Sequence, residues 1–249
     1  MKTYTPSRAE SSRIRELVRH YVENQDDFIW VLRQLHDNVL GDSNLMSYVH
    51  SIKWRVKAPD HLRDKLLRKL AEARKKHKPF GITSDNLFLK INDLAGLRIL
   101  HLHTRQMDKI NQALLRKLQL ARYRIVEGPI AKTWDDESRK YFQGINIRTE
   151  KSKESNLYTS VHYVVRPNLK TKSTCEIQVR TLADEVWGEV DHAINYPYRV
   201  SSVACHEQIQ VLARVTTSCS RLVDSIFKSF EESRKFRRPA SKRAKRYEP

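Results

Sequence analysis

Segments with strand periodicity alternate with segments of helical periodicity along this chain. In residues 7–40, apolar residues recur at steps of three and four, which predicts a helix. Residues 94–102, 159–166 and 174–180 are short apolar or alternating runs that predict strands. Strands separated by helices are typical of an α/β domain, so we expect an α/β (α+β) fold with a mixed sheet. Helices are expected to flank this sheet at both ends of the chain.

The other segments complete that arrangement. Further strands are predicted at 47–57 and 121–126, and further helices at 59–78, 107–118, 182–194 and 200–230. Little periodicity and many charges in residues 132–155 predict a long mobile loop. We divide the chain into an N-terminal helical segment (1–46), a central α/β domain (47–198), a C-terminal helix (199–233) and a disordered basic tail (234–249).

The chain is strongly basic. It has 47 Lys and Arg against 29 Asp and Glu, a formal net charge of +18, which attracts anions such as nucleotides, nucleic acid or acidic lipid. The three cysteines contain no C-x-x-C pair, so neither a zinc site nor a disulfide framework is indicated. No apolar run reaches the roughly 18 residues of a membrane span, and residues 1–10 lack a secretory signal, so we expect a cytoplasmic protein without a membrane partner.

Two cations mark the first candidate binding segment. Arg55 and Lys57 point to the same face at strand spacing, where they repel each other unless an anion lies between them. Phosphate fits this role, because guanidinium binds it in a bidentate way and ammonium acts as a point charge. The alternative is an exposed strand face with solvated charges.

Two carboxylates mark a candidate metal site. Asp93 stands at the mouth of an apolar run, where burial would be costly unless a cation such as Arg98, or a metal, neutralises it. Glu176 shares one face of its predicted strand with Gln178 and Arg180. Because Mg²⁺ takes one or two carboxylates and leaves its other positions to water and phosphates, Asp93 and Glu176 on neighbouring strands would suit it.

A third segment carries groups suited to a nucleoside. Tyr158, Ser160 and His162 alternate and therefore share one strand face. An aromatic ring, a hydroxyl and an imidazole together can hold a purine ring and its ribose or phosphate. For each of these three residues taken alone, packing in the hydrophobic core is the alternative interpretation.

Four of these motifs, in this order between about residues 47 and 196, resemble the synthetase domain of the RelA/SpoT family. The matching segments are Arg55-x-Lys57 with Lys65, Asp93-Leu-Ala-Gly-Leu-Arg98, Tyr158-x-Ser160-x-His162, and Glu176-Ile-Gln-Val-Arg180-Thr. The resemblance implies a nucleotidyltransferase-like fold and transfer of the β,γ-pyrophosphate of ATP to the 3′-hydroxyl of GDP or GTP.

The resemblance also implies roles for individual residues. Asp93 and Glu176 would be catalytic and would bind Mg²⁺. The ATP-binding residues would be Arg55, Lys57, Lys65 and Arg98. The acceptor nucleotide would contact Lys153, Asn156, Tyr158, Ser160, His162, Gln178 and Arg180.

The sequence departs from the family pattern beside the acceptor motif. Leu157 replaces the usual glycine, and Glu154 stands where lysine is common, although Lys151 and Lys153 are close by. The acceptor pocket is therefore expected to differ. No hydrolase module is recognised, so we expect synthesis without hydrolysis.

Other functions compete with this one. Some small stand-alone members of the family are toxins that modify the 3′ end of tRNA, and the basic residues 74–78 and 234–249 would suit RNA. The sequence does not say whether an antitoxin partner exists. A non-catalytic RNA- or ribosome-binding module is the third possibility.

The last helix poses a separate question. An apolar stripe on it predicts either packing on its own domain or a subunit interface, since small members of the family are often oligomeric. The stripe comprises Val203, Ile209, Leu212, Val215, Leu222, Ile226 and Phe230.

Overall fold

The computed structural model describes residues 5–152, 157–167, 172–195 and 202–237. Within them lie nine α-helices and six strands. The helices are α1 (Arg8–Glu23), α2 (Gln25–Leu40), α3 (Ser43–Met46), α4 (Pro59–Lys75), α5 (Leu87–Lys90), α6 (Met107–Leu120), α7 (Asp136–Gly144), α8 (Leu182–Asn195) and α9 (Val203–Arg237). The strands are β1 (Ser51–Val56), β2 (Ala95–His101), β3 (Tyr123–Thr133), β4 (Arg148–Lys151), β5 (Ser160–Pro167) and β6 (Cys175–Thr181).

The six strands form one mixed sheet in the order β1-β2-β6-β5-β3-β4. Strands β2 and β6 run parallel, as do β3 and β4, while the other neighbours are antiparallel. The predicted mixed sheet is confirmed. The parallel pair at its centre places the starts of β2 and β6 side by side.

The two faces of the sheet differ in chemistry. Leu97 and Ile99 of β2, with Ile177 and Val179 of β6, are fully buried in the main core against the N-terminal helices. Each such side chain contributes about 1.5–3 kcal/mol by leaving water. Because side chains alternate along a strand, the polar residues between them project from the opposite face. That face carries the candidate site.

The N-terminal segment is two helices rather than the single helix predicted for residues 7–40. Helix α1 begins with a capping box in which Ser7 and Glu10 bond each other's backbone N–H groups. It ends at Asn24, whose side-chain amide donates to the His20 carbonyl oxygen. Asn24 is non-helical (φ −112°, ψ 14°), so the apolar periodicity continues across a break in the backbone.

The loop predicted over residues 132–155 is wrong for most of its length. Strand β3 continues to Thr133, and α7 and β4 follow. Helix α7 begins where the Asp135 carboxylate accepts the Ser138 N–H at 2.7 Å, and it buries only Phe142. A nine-residue polar helix with one buried anchor leaves no clear periodic pattern.

Helix α9 docks through small and polar residues. Ala213, Thr216, Thr217 and Ser220 are buried, together with Ile209. Among the described residues, Ile209 and Leu212 are the two members of the predicted stripe that pack against another part of the chain. The other five stripe residues are each more than half exposed: Val203, Val215, Leu222, Ile226 and Phe230. The helix also extends to Arg237, four residues into the predicted basic tail.

Polar contacts also fix α9 to the domain. The indole N–H of Trp187 donates to the Ile209 carbonyl oxygen at 3.0 Å. The Asp224 carboxylate lies 2.8 Å from Nδ1 of His103 and accepts the Arg105 N–H at 2.9 Å. The rest of the predicted basic tail, residues 238–249, lies outside the described residues. In the part of the chain that the structure describes, no helix has both the length and the apolarity to span a bilayer.

Candidate active site

Asp93 and Glu176 meet at the starts of two parallel strands. Asp93 lies two residues before β2, and Glu176 is the partner of Gly96 in the register between β2 and β6. Both carboxylates line a cavity of about 330 Å³ on the polar face of the sheet. The predicted proximity of the two acidic residues thus follows directly from strand pairing.

Two lysines hold the Asp93 carboxylate. Lys57 Nζ lies 3.1 Å from Oδ2, and Lys65 Nζ lies 2.7 Å from Oδ1. Burial pushes the pKa of Asp93 upward, but Lys65 and Lys57 together outweigh burial and lower it below the usual value. Asp93 is therefore an anion at neutral pH, surrounded by cations that also suit phosphate.

A different pair of side chains holds Glu176. His162 Nδ1 lies 2.9 Å from Oε1, and the Gln178 amide donates to Oε2 at 2.8 Å. Burial raises the pKa of Glu176, but these hydrogen bonds and the His162 ring outweigh that effect, so the net shift is downward. Each carboxylate oxygen of Glu176 thus has a fixed partner.

The predicted ATP-binding cations lie on one side of the pair. Arg55, Lys57 and Lys65 line a cavity of about 390 Å³ that also includes Asp93. Sequence reasoning missed the other lining residues, which are His61, Arg68, Lys69, Glu72 and His192. His61, Lys65 and Arg68 recur at steps of four and three on α4, so their common helical face was a signal available in the sequence.

Arg98 and Arg180 are tied to helix α8. Arg98 lines the 330 Å³ cavity, and one of its guanidinium nitrogens lies 2.8 Å from both Glu185 Oε1 and Glu189 Oε1. Arg180 is buried and forms an ion pair with Glu185. A Cβ at Gly188 would lie 2.6 Å from a guanidinium nitrogen of Arg180, so glycine at this position lets Arg180 lie under α8.

The predicted acceptor residues are spread over two environments. His162 and Gln178 contact Glu176 directly, as described above. Ser160 is buried, and its hydroxyl donates to the Val179 carbonyl oxygen at 3.4 Å. Tyr158 stacks on Trp187 with ring centroids 6.2 Å apart, and burial raises its pKa to about 12.

Trp187 is a neighbour that sequence reasoning did not assign to the acceptor set. It connects Tyr158 to α9 through its bond to Ile209. Lys153 and Asn156, both predicted acceptor residues, lie outside the described residues.

The donor atoms suit a metal held jointly by protein and substrate. Within the described residues, no group of three or more His, Cys, Asp or Glu side chains is arranged to hold an ion alone. Two carboxylates bordering one cavity are nevertheless the protein ligands that Mg²⁺ uses when phosphates and water complete its octahedron. Asp93 and Glu176 therefore fit a magnesium–nucleotide complex rather than a closed structural site.

Comparisons with known proteins give a match to one protein family and matches to solved structures. A family profile described as "Region found in RelA / SpoT proteins" matches residues 54–201, more than half of the chain. No curated protein sequence matches.

Solved structures with the same fold cover nearly the whole chain. The small alarmone synthetase 1 from Bacillus subtilis is 22% identical, with 89% of this chain and 97% of that chain covered and a TM-score of 0.50. A GTP pyrophosphokinase family protein from Streptococcus pneumoniae is 20% identical, with 92% and 97% covered and a TM-score of 0.53. At these identities the likeness establishes a shared fold.

Proposed function

The chain belongs to the RelA/SpoT family, and from that premise we propose that it is a pyrophosphotransferase that makes guanosine tetra- or pentaphosphate. It would transfer the β,γ-pyrophosphate of ATP to the 3′-hydroxyl of GDP or GTP and release AMP. The observation that carries this proposal is the position of Asp93 and Glu176, which share one cavity while each has its own set of polar partners.

The donor nucleotide, ATP, would lie on the β1 side of Asp93 and Glu176. Lys57, Lys65 and Arg68 supply cations for its phosphates, and Arg55 at the edge of two cavities would stack on the adenine. Arg98 is already paired with two carboxylates, so its contact with ATP would require it to share or leave Glu189. Positioning the β-phosphorus in line with the acceptor hydroxyl is the main task of these side chains.

The acceptor hydroxyl would lie against Glu176. Because its pKa is lowered, Glu176 is ionised at neutral pH and can accept the proton of the attacking 3′-hydroxyl. His162 and Gln178 keep both carboxylate oxygens in place during this step. The half-buried ring of Tyr158, supported by Trp187, would present its other face to the guanine.

Asp93 and Glu176 would hold Mg²⁺, which when bound neutralises charge on the transferred pyrophosphate. Lys57 and Lys65 contact the same Asp93 carboxylate, so they would shift from it toward phosphate oxygens when the nucleotide binds.

The test is a product assay with the full chain, [γ-³²P]ATP and either GDP, GTP or deacylated tRNA. We expect label in a guanosine nucleotide, with AMP as the second product. Label on tRNA alone would overturn the proposal. An Asp93→Asn variant serves as the matched control for contaminating kinase.

RNA as the acceptor is a second candidate that specific features favour. The net charge is +18, and a cavity of about 580 Å³ between α1 and the end of α4 is lined by Arg13, Arg74, His77 and Lys78. Basic surfaces of this kind bind phosphate backbones without sequence preference. The tRNA arm of the same assay measures this activity directly.

A further inference from the structure

Helix α9 exposes a row of large apolar side chains on the side that faces away from the domain. The helix turns by about 100° per residue, so these side chains fall within an arc of about 100° and extend for about 28 Å. Buried residues of α9, such as Ala213 and Ser220, lie on the opposite half of its circumference. We call the row the outer stripe. It comprises Val211, Val215, Leu222, Ile226 and Phe230, each more than half exposed, together with the exposed Cys219.

The outer stripe is separate from the candidate active site. None of the described α9 residues lines the three cavities that include Asp93. Because the five large side chains remain more than half exposed, no described segment of this chain covers them. Contiguous exposed apolar surface marks a site of contact with a protein, a ligand or a membrane.

Positive charge is concentrated toward the end of the same helix. Residues 203–249 contain 11 Lys and Arg against five Asp and Glu, and eight of the 11 lie in residues 234–249, where Glu248 is the one acid. Beside the outer stripe, Arg214 is exposed, and the Arg234 guanidinium lies 5.8 Å from the centroid of the Phe230 ring. The apolar row and the excess of cations are therefore parts of one surface.

An apolar row next to an excess of cations fits a bilayer that contains anionic lipid. The apolar side chains of such a helix enter the acyl boundary, while Lys and Arg keep their charged groups at the head-group phosphates. Each Lys or Arg close to an anionic bilayer strengthens binding by about fivefold. RNA offers phosphates but no apolar phase, so it would leave the outer stripe in water.

A second copy of the chain fits this surface less well, because of charge. An antiparallel pair of α9 helices that places Val211 opposite Phe230 would bury the whole outer stripe. The same register brings Arg214 of one copy and Lys228 of the other to one side of the joint, where like charges repel. Two chains that each carry a formal charge of +18 also repel each other at longer range.

We propose that α9 lies on membrane surfaces that contain anionic phospholipid, with the outer stripe in the acyl boundary and residues 234–249 at the head groups. The sequence led us to expect no membrane partner, because it has no apolar run long enough to span a bilayer. A helix that lies along the bilayer surface needs no spanning segment. Binding of this kind does not require nucleotide transfer, so it is independent of the proposed function.

Vesicle flotation with the full chain tests the proposal in the absence of nucleotides. We expect wild type to bind vesicles of mixed phosphatidylglycerol and phosphatidylcholine at least about tenfold more strongly than vesicles of phosphatidylcholine alone. A double variant, Leu222→Ser with Ile226→Ser, should bind the anionic vesicles at least about tenfold more weakly than wild type. Leu120→Ser removes a leucine that is 73% exposed at the end of α6, and this matched control should bind as wild type does.

The contribution of charge is tested separately. A full-length variant with four substitutions, Lys242→Gln, Arg243→Gln, Lys245→Gln and Arg246→Gln, should bind anionic vesicles at least about tenfold more weakly than wild type. Raising the salt concentration to about 1 M should weaken wild-type binding, because it screens the attraction to the head groups. All variants should unfold at the wild-type temperature, which circular dichroism measures.

Cys219 reports whether the outer stripe enters the bilayer. Cys175 is buried, so in a Cys205→Ser variant an environment-sensitive fluorophore reacts with Cys219. We expect its emission to shift to shorter wavelength when anionic vesicles are added and to stay unchanged with phosphatidylcholine vesicles. Unchanged emission with both kinds of vesicle would overturn the proposal, as would vesicle binding that the Leu222→Ser, Ile226→Ser variant retains in full.

Light scattering without vesicles identifies a competing occupant. We expect wild type and the Leu222→Ser, Ile226→Ser variant to have the same particle mass. A larger particle in wild type, which the double variant dissociates and which does not bind anionic vesicles, would overturn the proposal and assign the outer stripe to a second copy of the chain.

Discussion

The imidazole of His162 and the carboxylate of Glu176 lie on neighbouring antiparallel strands, with Nδ1 2.9 Å from Oε1. The same residue lines a neighbouring cavity of about 190 Å³, and its buried Nε2 has no hydrogen-bond partner among the described residues. Under the proposed function this side chain has two separable tasks, which are to orient the Glu176 carboxylate and to contact the acceptor. Substitutions that keep one nitrogen position and remove the other distinguish them.

His162→Asn and His162→Ala should differ in kinetics. The amide nitrogen of asparagine can replace Nδ1 as the donor to Glu176, but nothing replaces Nε2. We expect His162→Asn to raise KM for the acceptor with a small change in kcat, and His162→Ala to lower kcat by about 10- to 100-fold as well. Equal kcat in the two variants would show that the bond to Glu176 does not matter for catalysis.

Asp93→Asn should remove activity while leaving the domain folded. The change deletes the negative charge opposite Lys57 and Lys65, so we expect turnover to fall at least about 10²–10³-fold. Lys57 is largely buried and loses its counter-charge, so the free energy of unfolding should drop by about 1–3 kcal/mol. Circular dichroism with urea titration measures the second effect, and a variant as active as wild type would refute the role of Asp93.

Glu185→Gln should destabilise the protein far more than Glu189→Gln, although both carboxylates contact Arg98. Glu185 is buried and also pairs with buried Arg180, so its loss leaves an uncompensated charge and should cost about 3–5 kcal/mol. Glu189 is 57% exposed, and its loss should cost less than about 1 kcal/mol. Similar unfolding midpoints for the two variants would contradict the buried network.

The effect of Glu185→Gln on the free energy of unfolding should depend on pH. Burial opposes ionisation of Glu185, but Arg180 and its other cationic partners outweigh burial and lower its pKa to about 2. Its stabilising contribution is present above its usual pKa of 4.5 and is lost as the pH falls toward about 2. The stability difference between wild type and Glu185→Gln should therefore shrink across that window.

The stabilising contribution of the neighbouring Asp184 should change with pH in the opposite direction. Burial raises its pKa to about 6, so its stabilising contribution is present below the usual 3.8 and is lost as the pH rises through about 6. Asp184→Asn keeps an acceptor for the Thr181 hydroxyl, which donates at 2.6 Å. We expect wild type and Asp184→Asn to have equal free energies of unfolding at pH 4. At pH 8 the free energy of unfolding of Asp184→Asn should exceed that of wild type by up to about 3 kcal/mol.

Asp184→Ala is the matched control for that experiment. It removes the bond to Thr181 along with the charge, so it should be less stable than Asp184→Asn at both pH values. A wild type that is more stable than Asp184→Asn at pH 8 would show that Asp184 is stabilised as the anion.

The buried and polar faces of the sheet were predictable because they follow from strand alternation. Leu97 and Ile99 alternate with Arg98, as Ile177 and Val179 do with Gln178, so the buried and polar faces can be assigned from sequence order. Once β2 and β6 are neighbours, Asp93 and Glu176 must lie close together.

Features set by contacts between distant segments were not predictable in this way. The pairing of Arg98 with Glu185, 87 residues further along the chain, depends on how α8 returns over the sheet, which periodicity does not encode. Helix α9 docks largely through small residues such as Ala213 and Ser220, while five of its large apolar residues are more than half exposed. A search for apolar side chains therefore identified the wrong packing surface. Asn24 breaks a helix without disturbing the apolar pattern around it.

The most direct test of the account is the stoichiometry of transfer to a nucleotide. The assay incubates wild type with ATP and GDP and follows the nucleotides by ³¹P NMR or by chromatography. We expect one AMP for each guanosine nucleotide that gains a 3′-diphosphate. The Glu176→Gln variant should form neither product. Formation of ADP in place of AMP, or consumption of ATP only when tRNA is supplied, would contradict it.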